Sequence, residues 1–345
     1  MTTTTVGDVR EALEDGFARQ RGELVAHCYR MTGSVHDAED LVQETYVRAW
    51  RAADGFEGRA SLRTWLFRIA TNVCLTFLEG RSRRPLPSAL GQGAADPARE
   101  PVQDRAVDWM EPLPDAVLWS EPAPDPAESA ATRDSVRLAF VAALQHLTAR
   151  QRAVLLLREV LAWSAKETAD ALGLTVAGVN STLQRARAAM DREAPAQDDP
   201  APVDDPRTRD LLEAYVRAFE AYDVAAIVRL LAHDVLWEMP PYPEWYAGAP
   251  QVGRLISTWC PASGPGDMRL VPAGTANGVP AFGLYMRDAD GVHRAFQLQQ
   301  VWPTPDGDVS RVIAWFDVEA LFDRFGLPAV WDDDAQATVG PAPVR

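Results

Sequence analysis

The chain has 345 residues, of which 47% are hydrophobic, and its 34 Lys+Arg against 49 Asp+Glu give a formal net charge of −15. At roughly 100–200 residues per domain this predicts two or three domains, each with apolar residues enough for a core. No apolar run reaches the roughly 18 residues of a transmembrane helix, and the Thr-rich N-terminus lacks the basic-then-apolar order of a secretory signal, so a soluble, cytoplasmic protein with no membrane partner is expected.

The three cysteines, Cys28, Cys74 and Cys260, are scattered and form no C-x-x-C, so neither a disulfide framework nor a zinc site is expected, and no metal or cofactor. Taken whole, the acidity argues against nucleic acid. Divided, it does not. Residues 1–84 hold 12 acidic and 12 basic residues, 85–132 hold 9 and 2, 133–193 hold 6 and 9, and 194–345 hold 22 and 11. The one net-basic segment lies in the middle of the chain.

Residues 17–31, 35–53 and 61–78 read as helices, with apolar residues three and four apart: Ala38, Leu41, Val42, Thr45 and Ala49 in the second, Leu62, Leu66, Ile69, Val73 and Phe77 in the third. Arg81, Arg83 and Arg84 then close the last helix before Pro85. Residues 85–132, acidic and proline-rich, read as an extended linker. In the third segment Ser164 and Glu167 form a capping box for a short helix that stops at Gly173, and Thr175 caps a second helix running to about residue 190. A helical hairpin and a DNA-binding helix-turn-helix both fit this pair. Residues 210–231 read as two further helices. Strand-like runs follow at 235–239, 268–273, 281–287, 293–302 and 309–316, with a helix at 252–259, which predicts a separate α+β domain ending in an antiparallel meander.

The run DAEDLVQETYVRAW at 37–50, with FEGRASLRTWLFRIATN at 56–72, resembles region 2 of the extracytoplasmic-function sigma factors, and the helix pair at about 147–190 resembles region 4 of that family. Residues 207–328 resemble a SnoaL-like domain of the NTF2-like superfamily. The resemblance implies a multi-domain chain: an all-α region 2 bundle at 10–84, a linker at 85–132, an all-α region 4 helix-turn-helix at 133–193 and an α+β cone at 207–328. It also implies two partners, core RNA polymerase and promoter DNA.

Carried onto this sequence, the family's polymerase-docking positions are Asp40, Gln43 and Glu44, which with Val47 share the helix side opposite Leu41, Val42 and Thr45. For the minus-ten element the matching residues are Phe56, Ser61, Arg63, Thr64, Trp65, Arg68 and Asn72, with Arg81, Arg83 and Arg84 as phosphate contacts. Trp65 borders the apolar stripe, and core packing and base stacking both fit it. For the minus-thirty-five element they are Asn180, Ser181, Gln184, Arg185 and Arg187, with Arg150 and Arg152 as phosphate candidates. Many members carry Lys and Arg where this chain has Asn180 and Thr182, which weakens the electrostatic attraction.

The linker string WMEPLPD at 109–115 resembles a motif of sigma factors with a SnoaL-like domain, so Trp109, Glu111, Pro112, Pro114 and Asp115 are regulatory candidates. In the C-terminal domain Trp237, Tyr285, Gln297, Trp302 and Trp315 are candidates to line a pocket for a small-molecule ligand; His233, Glu238, Gln299 and Asp317 are further polar candidates to point into it. A ligand-free aromatic core fits equally. No His/Asp general-base pair matches by motif, so the chain is expected not to be an enzyme. Two rival readings are a ligand-sensing operator-binding regulator that works without polymerase, and a SnoaL-like enzyme fused to a DNA-binding module.

Overall fold

The computed structural model describes residues 6–56, 58, 60–118, 135–192 and 200–332. The part of the expected linker at 119–132 lies outside them. The described residues form two compact units: residues 1–84 with 110–197, and residues 85–109 with 198–345.

The first unit is helical. α1 (Val6–Thr32), α2 (Val35–Ala52) and α3 (Leu62–Phe77) form one group. Ser34 caps α2, its Oγ accepting from Asp37 N at 3.0 Å, and Ser61 caps α3 through Thr64 N at 3.1 Å. The apolar stripe expected for α2, from Ala38 to Ala49, is buried.

The second helical group comprises α4 (Leu138–Leu144), α5 (Ala149–Leu155), α6 (Ala165–Leu172) and α7 (Val176–Arg192); α5 runs on into a wider π turn, Leu156–Val160. Ser164 and Glu167 make the capping box, Gly173 ends α6 with φ +63°, and Thr175 Oγ1 accepts from Gly178 N at 3.0 Å to start α7. Residues 110–118 are built into this unit. Met110, Leu113 and Leu118 are buried, Tyr29 Oη donates to Glu111 O at 2.7 Å, and the chain comes so near α1 that a Cβ on Gly22 would sit 1.9 Å from Leu118 O.

The second unit carries α8 (Pro206–Glu220), α9 (Val224–Leu230) and α10 (Ala249–Trp259) with β1 (Leu231–Met239), β2 (Tyr242–Ala247), β3 (Met268–Ala276), β4 (Val279–Arg287), β5 (His293–Pro303), β6 (Val309–Trp315), α11 (Val318–Leu321) and β7 (Val330–Trp331). The sheet order is β2-β1-β6-β5-β4-β3, with β7 on β5; β1 and β6 are parallel and the remaining pairs antiparallel. Every expected strand is present. The structure adds β2 and β7. β2 contains Pro243, which argues against a strand in the middle of a sheet but is tolerated on an edge, where β2 lies.

The two faces of the sheet have different neighbours. Trp237, Leu270, Phe282, Leu284, Val301, Val312 and Ala314 pack with Leu211, Tyr215 and Phe219 of α8 and with Val252, Leu255 and Ile256 of α10. On the opposite face Glu238, fully buried, accepts from both Nε and Nη2 of Arg311 at one carboxylate oxygen, Oε2.

Residues 85–109, part of the expected extended linker, follow the β2 edge as a strap. Ser88 N donates to Glu238 Oε1 at 3.0 Å, Ala95 N to Trp245 O at 2.8 Å and Asp104 N to Pro241 O at 2.8 Å. An uncovered edge strand leaves backbone groups unpaired, and the strap supplies partners for some of them.

Candidate polymerase, DNA and ligand surfaces

On α2 the spacing delivers the expected surface: Asp40 and Gln43 are exposed, Val47 is exposed beside them, and Glu44 is half-buried in an i,i+4 pair with Arg48 at 2.6 Å. His36 Nε2 lies 3.8 Å from Asp40. At the N-terminus of the same helix, Glu111 of the WMEPLPD string accepts from Ser34 Oγ at 2.9 Å and His36 N at 3.2 Å.

Around α3 most of the expected DNA residues already have protein partners. Phe56 and Trp65 are half-buried and pair as rings 4.9 Å apart. Ser61 and Thr64 hold the cap. Arg63 lies over the Phe67 ring at 5.0 Å and pairs with Glu23 at 2.6 Å. Asn72 donates to Arg68 O at 2.8 Å and to Ala171 O at 3.3 Å, so the amide expected to read a base edge here joins α3 to α6. Arg68 is exposed. Arg81 covers the Phe77 ring at 3.9 Å, Arg83 meets His146 Nδ1 at 3.0 Å, and Arg84 is tied to Asp37 at 2.8 Å.

α7 presents Asn180, Ser181, Gln184, Arg185 and Arg187 outward and buries Val179, Leu183 and Ala186. Its outward residues Asn180, Gln184 and Arg187 border a concavity with Arg158 and Asp191. Arg187 pairs with Glu159. Thr182 is buried, so its difference from the family's usual basic residue lies in the packing and not on the outward face.

Arg150 is exposed, as a phosphate contact requires, but Arg152 is not. Its guanidinium is buried and donates to Leu144 O at 3.0 Å, Leu147 O at 3.2 Å and Met31 O. Burial lowers its pKa to about 10, which leaves it charged at neutral pH. Two residues apart on α5, Arg150 and Arg152 stand on different faces, and the packing decides which of the two is buried.

Burial also sets the state of His27 on α1, a group that sequence reasoning missed. Thr71 Oγ–H donates to Phe67 O at 2.7 Å, so His27 Nε2–H donates to Thr71 Oγ1 at 2.9 Å, and Nδ1 is buried with no hydrogen-bond partner among the described residues. Desolvation, with Arg30 and Arg63 nearby, lowers its pKa to about 3.

The second unit encloses an apolar cavity of about 330 Å³. Trp237 and Gln297 line it; Tyr285, Trp302 and Trp315 do not. The reason is strand parity. Those three side chains lie on the Glu238–Arg311 face, where Tyr285 Oη donates to Pro328 O at 3.0 Å, Trp315 Nε1 donates to Gln300 Oε1 at 2.9 Å, and Arg311 covers the Trp302 ring at 5.5 Å. Glu238 likewise points away from the cavity, and His233 and Asp317 are exposed. Gln299 accepts from Tyr215 Oη at 2.9 Å.

Phe296 and Gln297 are adjacent yet both line the cavity, because the register between β4 and β5 shifts there: Leu284 faces Gln297 while Tyr285 faces Ala295, leaving Phe296 as the extra residue of a bulge. Among the described residues that line it, none carries a charged side chain. Two of them, Pro101 and Gln103, come from the strap.

Residues 17–84 match sigma-70 region 2 and residues 137–190 match sigma-70 region 4. The chain is 56% identical over 309 residues to the ECF RNA polymerase sigma factor SigG of Mycobacterium tuberculosis H37Rv, covering 89% of this chain and 82% of that protein. It is 28% identical over 283 residues to SigJ of the same organism, covering 80% and 81%. The crystal structure of M. tuberculosis SigJ aligns with 92% of this chain and 99% of its own at a TM-score of 0.54 and 25% identity. Two helical sigma regions followed by an α+β domain thus define a transcription-initiation factor. The chain belongs to the extracytoplasmic-function RNA polymerase sigma factors, and its second unit adds a C-terminal α+β domain to the two sigma regions.

Proposed function

We propose that this sigma factor docks on core RNA polymerase through the exposed α2 stripe of Asp40 and Gln43, with Glu44 beside them. α3 and its preceding loop then engage and open the minus-ten element, and α7 engages the minus-thirty-five element, Gln184 and Arg185 reading base edges and Arg187 meeting phosphate. The work is binding and strand separation. Taking a base out of the stack costs a few kcal/mol, which contacts from Phe56, Trp65 and Arg68 would offset. The observation that carries this reading is α7, which presents Asn180, Ser181, Gln184, Arg185 and Arg187 outward while Val179, Leu183 and Ala186 are buried. Run-off transcription with core polymerase tests it. Asp40→Ala with Gln43→Ala should abolish promoter-dependent transcripts while circular dichroism stays unchanged. Undiminished transcription by that variant would instead favour an operator-binding regulator.

The C-terminal domain regulates this activity and takes a small-molecule ligand. The apolar, uncharged cavity supports the ligand, and the bonds from strap to sheet support the regulation, because they hold part of the chain that joins regions 2 and 4. Deleting residues 207–345 should alter transcript yield.

A further inference from the structure

Two aromatic walls of the cavity are also the tethers of the strap. Trp259 lines the cavity and its Nε1–H donates to Pro97 O at 2.9 Å. Tyr242 lines it too, and its hydroxyl accepts from Gln103 Nε2 at 3.1 Å. Between these tethers the strap adds Pro101 and Gln103 to the wall, and it is pinned outside them by the Ala95 N and Asp104 N hydrogen bonds to the sheet. We infer that residues 95–104 are a lid, and that a neutral, largely apolar ring compound in the cavity locks this lid onto the sheet.

The inference rests on the reading of the cavity as a ligand site. The class of ligand follows from the walls. A volume of about 330 Å³ equals about ten water molecules at roughly 30 Å³ each, which suits two or three rings. An ion would be desolvated with no counter-charge, whereas Gln297, Gln103 and Tyr242 can serve one or two hydrogen-bonding groups on a neutral molecule. The direction of coupling follows from differential contact. Only the docked strap offers Pro101 and Gln103 to the ligand, so binding must favour the docked state. The ligand thereby holds part of the inter-region chain away from any other use.

N-phenyl-1-naphthylamine, a neutral three-ring fluorophore, is the probe. In the full chain it should bind saturably at one equivalent and slow amide exchange at Ala95 and Asp104 by about tenfold or more. Trp259→Phe keeps the wall ring but removes the tether to Pro97, and Gln103→Ala removes the other. Each should speed exchange at Asp104 without probe and weaken probe binding by about threefold to tenfold, the effect of one hydrogen bond. Saturable binding that leaves exchange at Ala95 and Asp104 unchanged, with equal affinity in both variants, would overturn the lid while sparing the cavity as a ligand site. Absence of saturable binding to the unaltered chain would overturn both.

Discussion

The carboxylate of Glu111 accepts hydrogen bonds from Ser34 Oγ and from the backbone N–H of His36, so a side chain of the linker closes the N-terminus of α2, the helix that carries Asp40 and Gln43. Ser34 is itself the N-cap, and Glu111 fixes its hydroxyl while adding negative charge where the helix dipole favours it. Glu111→Ala should cost about 1–2 kcal/mol of stability, read as a fall in urea midpoint, with the loss reduced at high salt. A salt-independent loss would mean that the packing of Met110 and Leu113, not the charge, dominates.

Arg152 and Arg150 separate structure from DNA contact. Arg152→Met strands three carbonyl oxygens that a buried guanidinium now serves, which should cost about 3–5 kcal/mol. Arg150→Ala, on an exposed residue, should stay within about 0.5 kcal/mol. Thermal or urea unfolding of the two variants measures the difference.

His27 makes stability depend on pH. Its native pKa of about 3 lies below the ordinary value of 6.5, so between these values the unfolded chain binds a proton that the native chain does not, and stability falls as pH falls. The slope is about 1.4 kcal/mol per pH unit, or about 2 kcal/mol between pH 6.5 and 5. Urea midpoints of the protein and of His27→Gln over that window should diverge by this amount; parallel curves would show that His27 titrates normally.

On α7, Gln184 and Arg187 should act differently. Gln184→Ala should lower discrimination at one base position by about 1–3 kcal/mol. Arg187→Ala should weaken binding to all sequences alike and reduce the salt slope by about one. Holoenzyme binding to a set of minus-thirty-five variants across a salt series distinguishes them, and a sequence-dependent Arg187 effect would reassign it to base reading.

The buried pair Glu238–Arg311 should be hard to break from one side. Arg311→Met leaves a buried carboxylate with Ser88 N as its one remaining donor among the described residues and should cost about 3–5 kcal/mol. Glu238→Gln in the same background should recover part of it by removing the charge, which a double-mutant cycle in urea would measure.

The sequence by itself determined the helices, the caps and the surfaces built from a single helix. Ser164, Gly173 and Thr175 act locally, and a period of 3.6 residues was enough to predict that Asp40 and Gln43 on α2, and Gln184 and Arg187 on α7, stand outward. The same locality failed wherever a partner is distant in the chain. Arg152 reads like Arg150 until Met31 O is found beside it, and Asn72 reads as a base contact until Ala171 O takes its amide.

In the C-terminal domain both faces of the central strands are buried, so hydrophobicity there carries no parity, and Trp237 and Trp302 look equivalent in sequence. Only the sheet, with α8 and α10 on one face and the Glu238–Arg311 pair on the other, decided which of them borders the cavity. The strap was hidden for a related reason. Its proline-rich, acidic composition reads as a tether, because the bonds that hold it, from Ala95 N to Trp245 O and from Trp259 Nε1 to Pro97 O, join residues far apart in the chain, and such partners leave no mark on local composition.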